Sequence, residues 1–310
     1  MTMRRFFLLS FLFCSLSGYA QVVEVVGKSE PAMVFTSIPV DAVLFGKGGA
    51  GLASSAAPEW ASFGNIASPL FNESHTSIGV SYLGYTPGEK ASMALGVTTI
   101  LSKRLVLSAG YNRQKGVSYQ DVDATGNVSG SFSPSDTKVN VGLAYSISDA
   151  CSVGSSIHYL HSGIASELSL TAYCADVMAF TRIGQMQAAA GIRNLGPGVK
   201  DSKGTVFNLP TSACVAAEYT IEVGSSSELC ADADVEYCFS TGLCASVAAE
   251  YIYNNMFFLR TGGHFGKGSI PSFASAGLGA KVFGASLNVA YIFASETLVG
   301  SWMLGLGYAF

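Results

Sequence analysis

Beyond its first twenty residues this chain never runs apolar for long; instead apolar residues alternate with small or polar ones, segment after segment. Residues 139–147 read VNVGLAYSI, with Val139, Val141, Leu143, Tyr145 and Ile147 on one parity and Asn140, Gly142, Ala144 and Ser146 on the other. Residues 213–222 set Ala213, Val215, Ala217, Tyr219 and Ile221 against Cys214, Ala216, Glu218, Thr220 and Glu222. Residues 229–239 oppose Leu229, Ala231, Ala233, Val235, Tyr237 and Phe239 to Cys230, Asp232, Asp234, Glu236 and Cys238. A period of two is the signature of strands, whose successive side chains point to opposite faces. A transmembrane helix needs about 20 consecutive apolar residues, and none is expected here.

Two architectures produce serial alternating strands: a soluble sandwich or barrel with its apolar face inside, and a membrane barrel with that face outside. Composition separates them. Only 12% of residues are charged, against roughly 25% in soluble domains, while 49% are hydrophobic and the mean hydropathy is +0.38. The faces opposite the apolar ones carry Gly, Ala, Ser and occasional acids, which suits a crowded polar lumen. Tyr82, Tyr111, Tyr145, Tyr219, Tyr251 and Tyr253 fall toward strand ends, where aromatic girdles meet the two interfaces. The chain closes on Trp302, Leu304, Leu306, Tyr308 and Phe310 sharing one face. A last strand of that form resembles the assembly signal by which bacterial outer-membrane barrels meet their assembly machinery. The balance excludes disorder, which needs low hydrophobicity and high net charge. A net charge of −4 without a Lys/Arg cluster excludes nucleic acid as a partner.

The N-terminus reads as an export signal over 1–20. Arg4 and Arg5 precede the apolar stretch FFLLSFLFC, and Gly18 and Ala20 offer small residues for cleavage before Gln21. Phe13 stands where a lipoprotein signal at Cys14 would need a small residue. Fourteen strands are predicted, at 75–85, 90–101, 103–114, 137–147, 151–162, 166–181, 185–194, 211–222, 227–239, 243–254, 256–266, 273–283, 285–294 and 301–310. Their connections alternate. The longer set includes 84–89, 115–136, 195–210, 267–272 and 295–300; the tight set includes Ser102, Ser148-Asp149-Ala150, Ile183-Gly184, Asn254-Asn255 and Phe283-Gly284. Long loops outside and short turns inside are the habit of outer-membrane barrels, so both termini are expected in the periplasm. The loop 115–136, rich in Ser, Gly and Asp, is expected to be the most mobile. Residues 21–73 show no such rhythm and are rich in small residues; they read as a plug inside a barrel spanning 74–310.

Residues 38–70, IPVDAVLFGKGGAGLASSAAPEWASFGNIASPL, resemble the N-terminal signature of the PorV/PorQ family within the FadL-like superfamily of outer-membrane barrels. That signature has a Gly-rich turn, a small-residue stretch and an aromatic followed by Asn-Pro-Ala. The similarity continues through GIRNLGP at 191–197, Leu209-Pro210 and AEYIYNNMFFLR at 249–260, covering essentially the whole mature chain. Asn65-Ile66-Ala67 departs from it by lacking the proline, and the outer loops are modest. The resemblance implies a component of type IX protein secretion, binding exported proteins that share a C-terminal cargo domain or a surface attachment complex. The FadL branch implies instead a transporter of long-chain fatty acids or other hydrophobic compounds across the outer membrane. A purely structural barrel is the third reading.

Gly46-x-Gly48-x-x-Gly51, with Gly49 between, matches a dinucleotide fingerprint as a string, but that motif needs a preceding strand and a βαβ unit. It is read as a backbone turn in the plug. His158 and His161 are three apart on one strand, so they face opposite sides and cannot share a metal. No enzyme, cofactor or metal site is expected. Glu218, Asp232, Asp234, Glu236, Glu250 and Arg260 share the inward parity of four consecutive strands. Buried carboxylates are costly unless paired or solvated, so this wall either grips the plug, through Lys28 or Lys47, or lines a substrate path. Cys238 and Cys244 flank the turn at 240–242 symmetrically and are expected to face each other. Directly opposed Cβ atoms lie about 4.5–5.5 Å apart, wider than the ~3.8 Å a disulfide prefers, so free buried thiols are the expectation and a bridge the alternative.

Overall fold

The computed structural model describes residues 31–85, 90–122, 126–165, 168–200, 204–266 and 269–310. The export signal, residues 21–30 and Lys28 lie outside the described residues. The first half holds β1 (Thr76–Gly84), β2 (Ala91–Ser102), β3 (Leu105–Lys115), β4 (Tyr119–Val122), β5 (Val128–Phe132), β6 (Ser135–Ser148), β7 (Cys151–Ala165), β8 (Leu168–Ile183) and β9 (Met186–Leu195). The second holds β10 (Val199–Lys200), β11 (Val206–Phe207), β12 (Ser212–Glu222), β13 (Ser227–Cys238), β14 (Gly242–Tyr253), β15 (Phe257–Gly266), β16 (Phe273–Val282), β17 (Ala285–Ser295) and β18 (Trp302–Ala309).

Fourteen of these strands pair antiparallel with their chain neighbours, and β1 pairs with β18 from Ser77↔Ala309 to Gly84↔Trp302, closing a barrel. All fourteen predicted spans correspond to barrel strands. The tight turns have hairpin geometry. Asn254 and Asn255 both sit at φ 52°, and Phe283 and Gly284 at 51° and 81°. Two central residues of positive φ make the type I′ turn, whose twist matches that of the strands it joins. Two long connections are less open than their composition suggests: 115–136 carries the hairpin β4–β5, and 195–210 carries β10–β11.

Strand alternation splits the residues cleanly. Val80, Leu95, Val141, Leu143, Leu259 and Leu306 are exposed on the outer face, as are the six tyrosines and the five C-terminal residues singled out above. Tyr82 and Tyr111 stand toward the long-loop end, Tyr145, Tyr219, Tyr251 and Tyr253 toward the turn end. The core lies inside. Ala42 and Phe45 pack on Leu83, Phe273, Ala290, Ile292 and Met303, while Leu52, Ala61, Ile66 and Ala67 pack on Val106, Ala144, Met178 and Phe180. A soluble sandwich would bury the other parity, and its two open sheets are absent from this closed ring.

Residues 32–72 descend through that interior. The Ala32 N–H donates to the Asn208 carbonyl in the connection before β12, at the long-loop end (2.9 Å). Helix α1 (Ala42–Gly46) crosses beside β16–β18, held at its start by Asp41, whose carboxylate accepts from the Leu44 N–H (2.8 Å). Short 3₁₀ turns at Pro58–Phe63 and Ser68–Phe71 follow. At the turn end Arg182 donates to the Phe71 carbonyl (2.8 Å), and the chain enters β1 beside Phe310.

Candidate functional site

The centre of the filled lumen is Lys47, at the end of α1 and wholly buried. Its Nζ lies 2.8 Å from Asp232 and 3.6 Å from both Glu218 and Glu250. Strand register assembles this trio. Glu218 stands opposite Asp232 on β12 and β13, and Glu250 opposite Arg260 on β14 and β15. Arg260 donates to Glu250 at 2.6 Å and to Asn288 at 2.7 Å. Burial would pull the Lys47 ammonium down, but the three carboxylates outweigh it and hold the group above its ordinary range. Lys47 is therefore charged at any physiological pH. Asp41 is pushed up to about 6 by burial, with the Leu44 and Val43 N–H groups only partly offsetting it.

The glycine turn after Lys47 takes the remaining wall groups. Gly48 donates to Ser275 Oγ (3.0 Å), and Gly51 and Leu52 donate to one oxygen of Asp234 (2.9 and 3.0 Å). Gly48 is glycine for two reasons: its φ is +64°, and a Cβ there would sit 2.3 Å from the Gly263 nitrogen. Gly46 thus ends α1, and Gly48, Gly49 and Gly51 form the turn after it, following a helix rather than the strand a nucleotide fold needs. Five of the six residues of the predicted polar wall converge on the lumen segment or on each other. Glu236, higher toward the loops, faces Arg193 (3.6 Å) and accepts from Ser212.

A second buried cluster escaped the sequence reading. His158 Nδ1 lies 2.9 Å from Asn140 and Nε2 3.1 Å from Asp176, which also accepts from the Asn194 N–H at 2.6 Å. Lys138 lies over the Phe63 ring (5.8 Å to the centroid). The signal was available: Lys138, Asn140, His158 and Asp176 share the inward parity of β6, β7 and β8. His161 does face the other way, beside Thr171.

Between the two clusters, toward the long-loop end, lies a cavity of about 110 Å³. Its lumen-segment side includes Ile38, Val43, Trp60 and Phe63, and its barrel side Lys138, Arg193, Asp234, Glu236, Ser246 and His264. Cys238 and Cys244 do not face each other as expected, while both are the free buried thiols expected. Cys238 pairs with Gly242, and Cys244 with Glu236, so the two thiols share a face but are offset by two residues. Both are free. The turn is centred on Ser240 rather than Thr241, one residue earlier than a symmetric 238–244 pairing requires.

No protein-family model and no curated protein matches this sequence. Solved structures do. The toluene transporter TbuX of Ralstonia pickettii matches with a TM-score of 0.62 at 11% identity, over 89% of this chain and 100% of its own. The monoaromatic hydrocarbon channel CymD matches at 0.63 and 12%, over 88% and 98%. A FadL homologue of Pseudomonas aeruginosa matches at 0.53 and 11%, over 88% and 99%. At such identity the likeness is one of fold: this chain has the barrel fold that these FadL-type proteins share.

Proposed function

We propose that this protein is an outer-membrane channel for small hydrophobic molecules, plugged by residues 32–72. The observation that carries the reading is the loop-end cavity, lined jointly by the lumen segment and the barrel wall. A barrel whose outer face is apolar belongs in lipid, and proteins of the same fold bear the names of toluene and monoaromatic hydrocarbon transporters. The long loops then face the outside and the C-terminus the periplasm. The secretion role is the weaker reading, because the glycine turn and Asn65 of the resembling segment 38–70 are engaged in packing the lumen. Gly48 and Gly51 bond the wall, and Asn65 donates to Leu52 and accepts from Ala67.

The test is uptake of radiolabelled toluene by intact cells whose own hydrocarbon channels have been deleted. Expression of this chain raises uptake, and the cavity-filling Val43→Trp returns it to background. Uptake unchanged by expression refutes the channel. Copurification, from the native membrane, of exported proteins sharing one C-terminal domain would favour secretion instead.

A further inference from the structure

We propose that the loop-end cavity binds a neutral single-ring molecule bearing one hydroxyl group, a phenol, in preference to a bare hydrocarbon or a carboxylate. The inference deepens the channel reading and rests on it for a route to the site; binding itself can be measured without transport.

Size sets the first limit. The cavity measures about 110 Å³, and an engineered apolar cavity of roughly 150 Å³ holds benzene. The volume is of the order of one small ring and well below that of a long acyl chain. Trp60 and Phe63, their ring centroids 6.0 Å apart, give the cavity aromatic walls, with Ile38 and Val43 beside them.

The polar wall sets the second limit. Asp234, Ser246 and His264 form one row across β13, β14 and β15, Asp234 opposite Ser246 and Ser246 opposite His264. Asp234 and His264 are 6% and 7% exposed. Asp234 spends one oxygen on Gly51 and Leu52, and His264 Nδ1 is 2.9 Å from Ser246 Oγ. Asp234 Oδ1 and His264 Nε2 have no hydrogen-bond partner among the described residues. Buried polar atoms almost always have one. A ligand hydroxyl can meet either need, donating its proton to Oδ1 or accepting from Nε2–H. Arg193 Nε, also unpartnered, is a further donor on the same wall.

Charge sets the third. The terminal nitrogens of Arg193 face Glu236 (3.6 Å) and the Phe63 carbonyl (3.4 Å), and Lys138 lies over the Phe63 ring. A ligand carboxylate would meet Asp234 and Glu236. A bare hydrocarbon would leave Oδ1 and Nε2 as they are.

Phenol and toluene differ by a hydroxyl in place of a methyl, so they isolate the polar contribution. Their dissociation constants, with that of benzoate, are to be measured on the purified full chain in detergent by ligand-observed NMR, subtracting the signal of Val43→Trp to remove micelle partitioning. Phenol is expected to bind about tenfold or more tighter than toluene, one hydrogen bond's worth, and benzoate weaker than either. His264→Phe abolishes the preference, so that phenol and toluene bind equally within that variant, and gel mobility before and after heating verifies that each variant is a folded barrel. Equal or tighter binding of toluene, tighter binding of benzoate, a preference that survives His264→Phe, or no binding of phenol overturns the proposal. Toluene uptake by cells without a phenol preference leaves the channel standing and removes this inference; a phenol preference without uptake does the reverse.

Discussion

Replacing Lys47 by Met keeps the length of the side chain and removes its charge, which isolates what the ion cluster does for the lumen segment. Lys47 is fully buried among three carboxylates at 2.8, 3.6 and 3.6 Å. Arg260 compensates Glu250, but Asp232 and Glu218 each lose their only ion-pair partner among the described residues. Removing one member of a buried pair costs about 3–5 kcal/mol, because a desolvated charge is left behind. That free energy enters the equilibrium between the seated and the lifted segment, since the barrel wall is hydrogen-bonded without it. The readout is hydrogen exchange of the peptide covering 42–52, whose Gly48, Gly51 and Leu52 amides donate to wall side chains. At 1.4 kcal/mol per tenfold, their exchange should accelerate by roughly two to three and a half orders of magnitude. Adding Asp232→Asn removes one of the two stranded charges, the one nearest Lys47 in the wild type, and should recover part of the protection. Acceleration below threefold in Lys47→Met, or no recovery in the double variant, refutes the idea that this cluster holds the segment in place.

Two further substitutions probe the same segment by other means. Gly48→Ala and Gly49→Ala both place a side chain at positive φ, costing about 1–2 kcal/mol, but only at Gly48 would the new Cβ meet backbone, at 2.3 Å against 3.7 Å from the nearest atom at Gly49. Protease protection of the lumen segment should therefore collapse in the first and survive in the second. Asp41 binds its proton more tightly when folded, about 6 against 3.8, so between those values the native state holds more protons and stability falls as pH rises, by at most about 3 kcal/mol above pH 6. Asp41→Asn keeps the helix cap and should flatten this part of the thermal stability profile between pH 4 and 7; an unchanged profile counts against the buried carboxylate as its source.

The barrel was legible because lipid and lumen impose one rule on every strand. Outward parity is apolar at Val141 and Leu143 as at Leu304 and Leu306, so alternation identifies each strand without knowledge of its partner. Parity also identified which way Glu218, Asp232, Glu250 and Arg260 point. It could not say what they meet, because that depends on pairings between distant parts of the chain: Lys47 and Asp232 are 185 residues apart. The lumen segment has no period, since its residues answer to the local shape of the wall rather than to two solvents. Cys238 and Cys244 show the limit of the same logic. Parity placed both thiols inward, but register depends on turn length, and a shift of two preserves the face while separating the pair. Lys138, Asn140, His158 and Asp176 obeyed the inward rule too; they went unread because mixed signs on neighbouring strands look like ordinary lumen polarity.

Whether a molecule passes with the lumen segment seated can be decided with one tether. α1 packs on β16–β18 through Ala42 and Phe45, and Leu52 and Ile66 pack on the wall at Val106, Ala144, Met178 and Phe180, so the segment touches the wall in two separate clusters. The fourteen barrel strands pair in a closed ring, with a register irregularity between Ala175 and Val177 where β8 meets β9. Transport through the lumen is predicted to require the segment to move. A Cβ at Gly305 on β18 would lie 3.3 Å from the Cβ of Ala42, with its next neighbours at 3.8 and 3.9 Å. That is a few tenths of an ångström inside the roughly 3.5–4.5 Å that disulfides span, and Ala42 lies at the first residue of α1, where a small shift is tolerated. Ala42→Cys combined with Gly305→Cys should close under oxidation and pin α1 to the wall. Uptake should then fall to background and return on addition of a reductant, while each single variant transports at the wild-type rate with and without reductant. Those single variants also control for the native thiols, five of which lie inside the barrel, Cys151 being the half-buried exception. If the tethered protein, verified as fully cross-linked by mass spectrometry, transports at the wild-type rate, the segment is a fixed part of the lumen and the route must run past it.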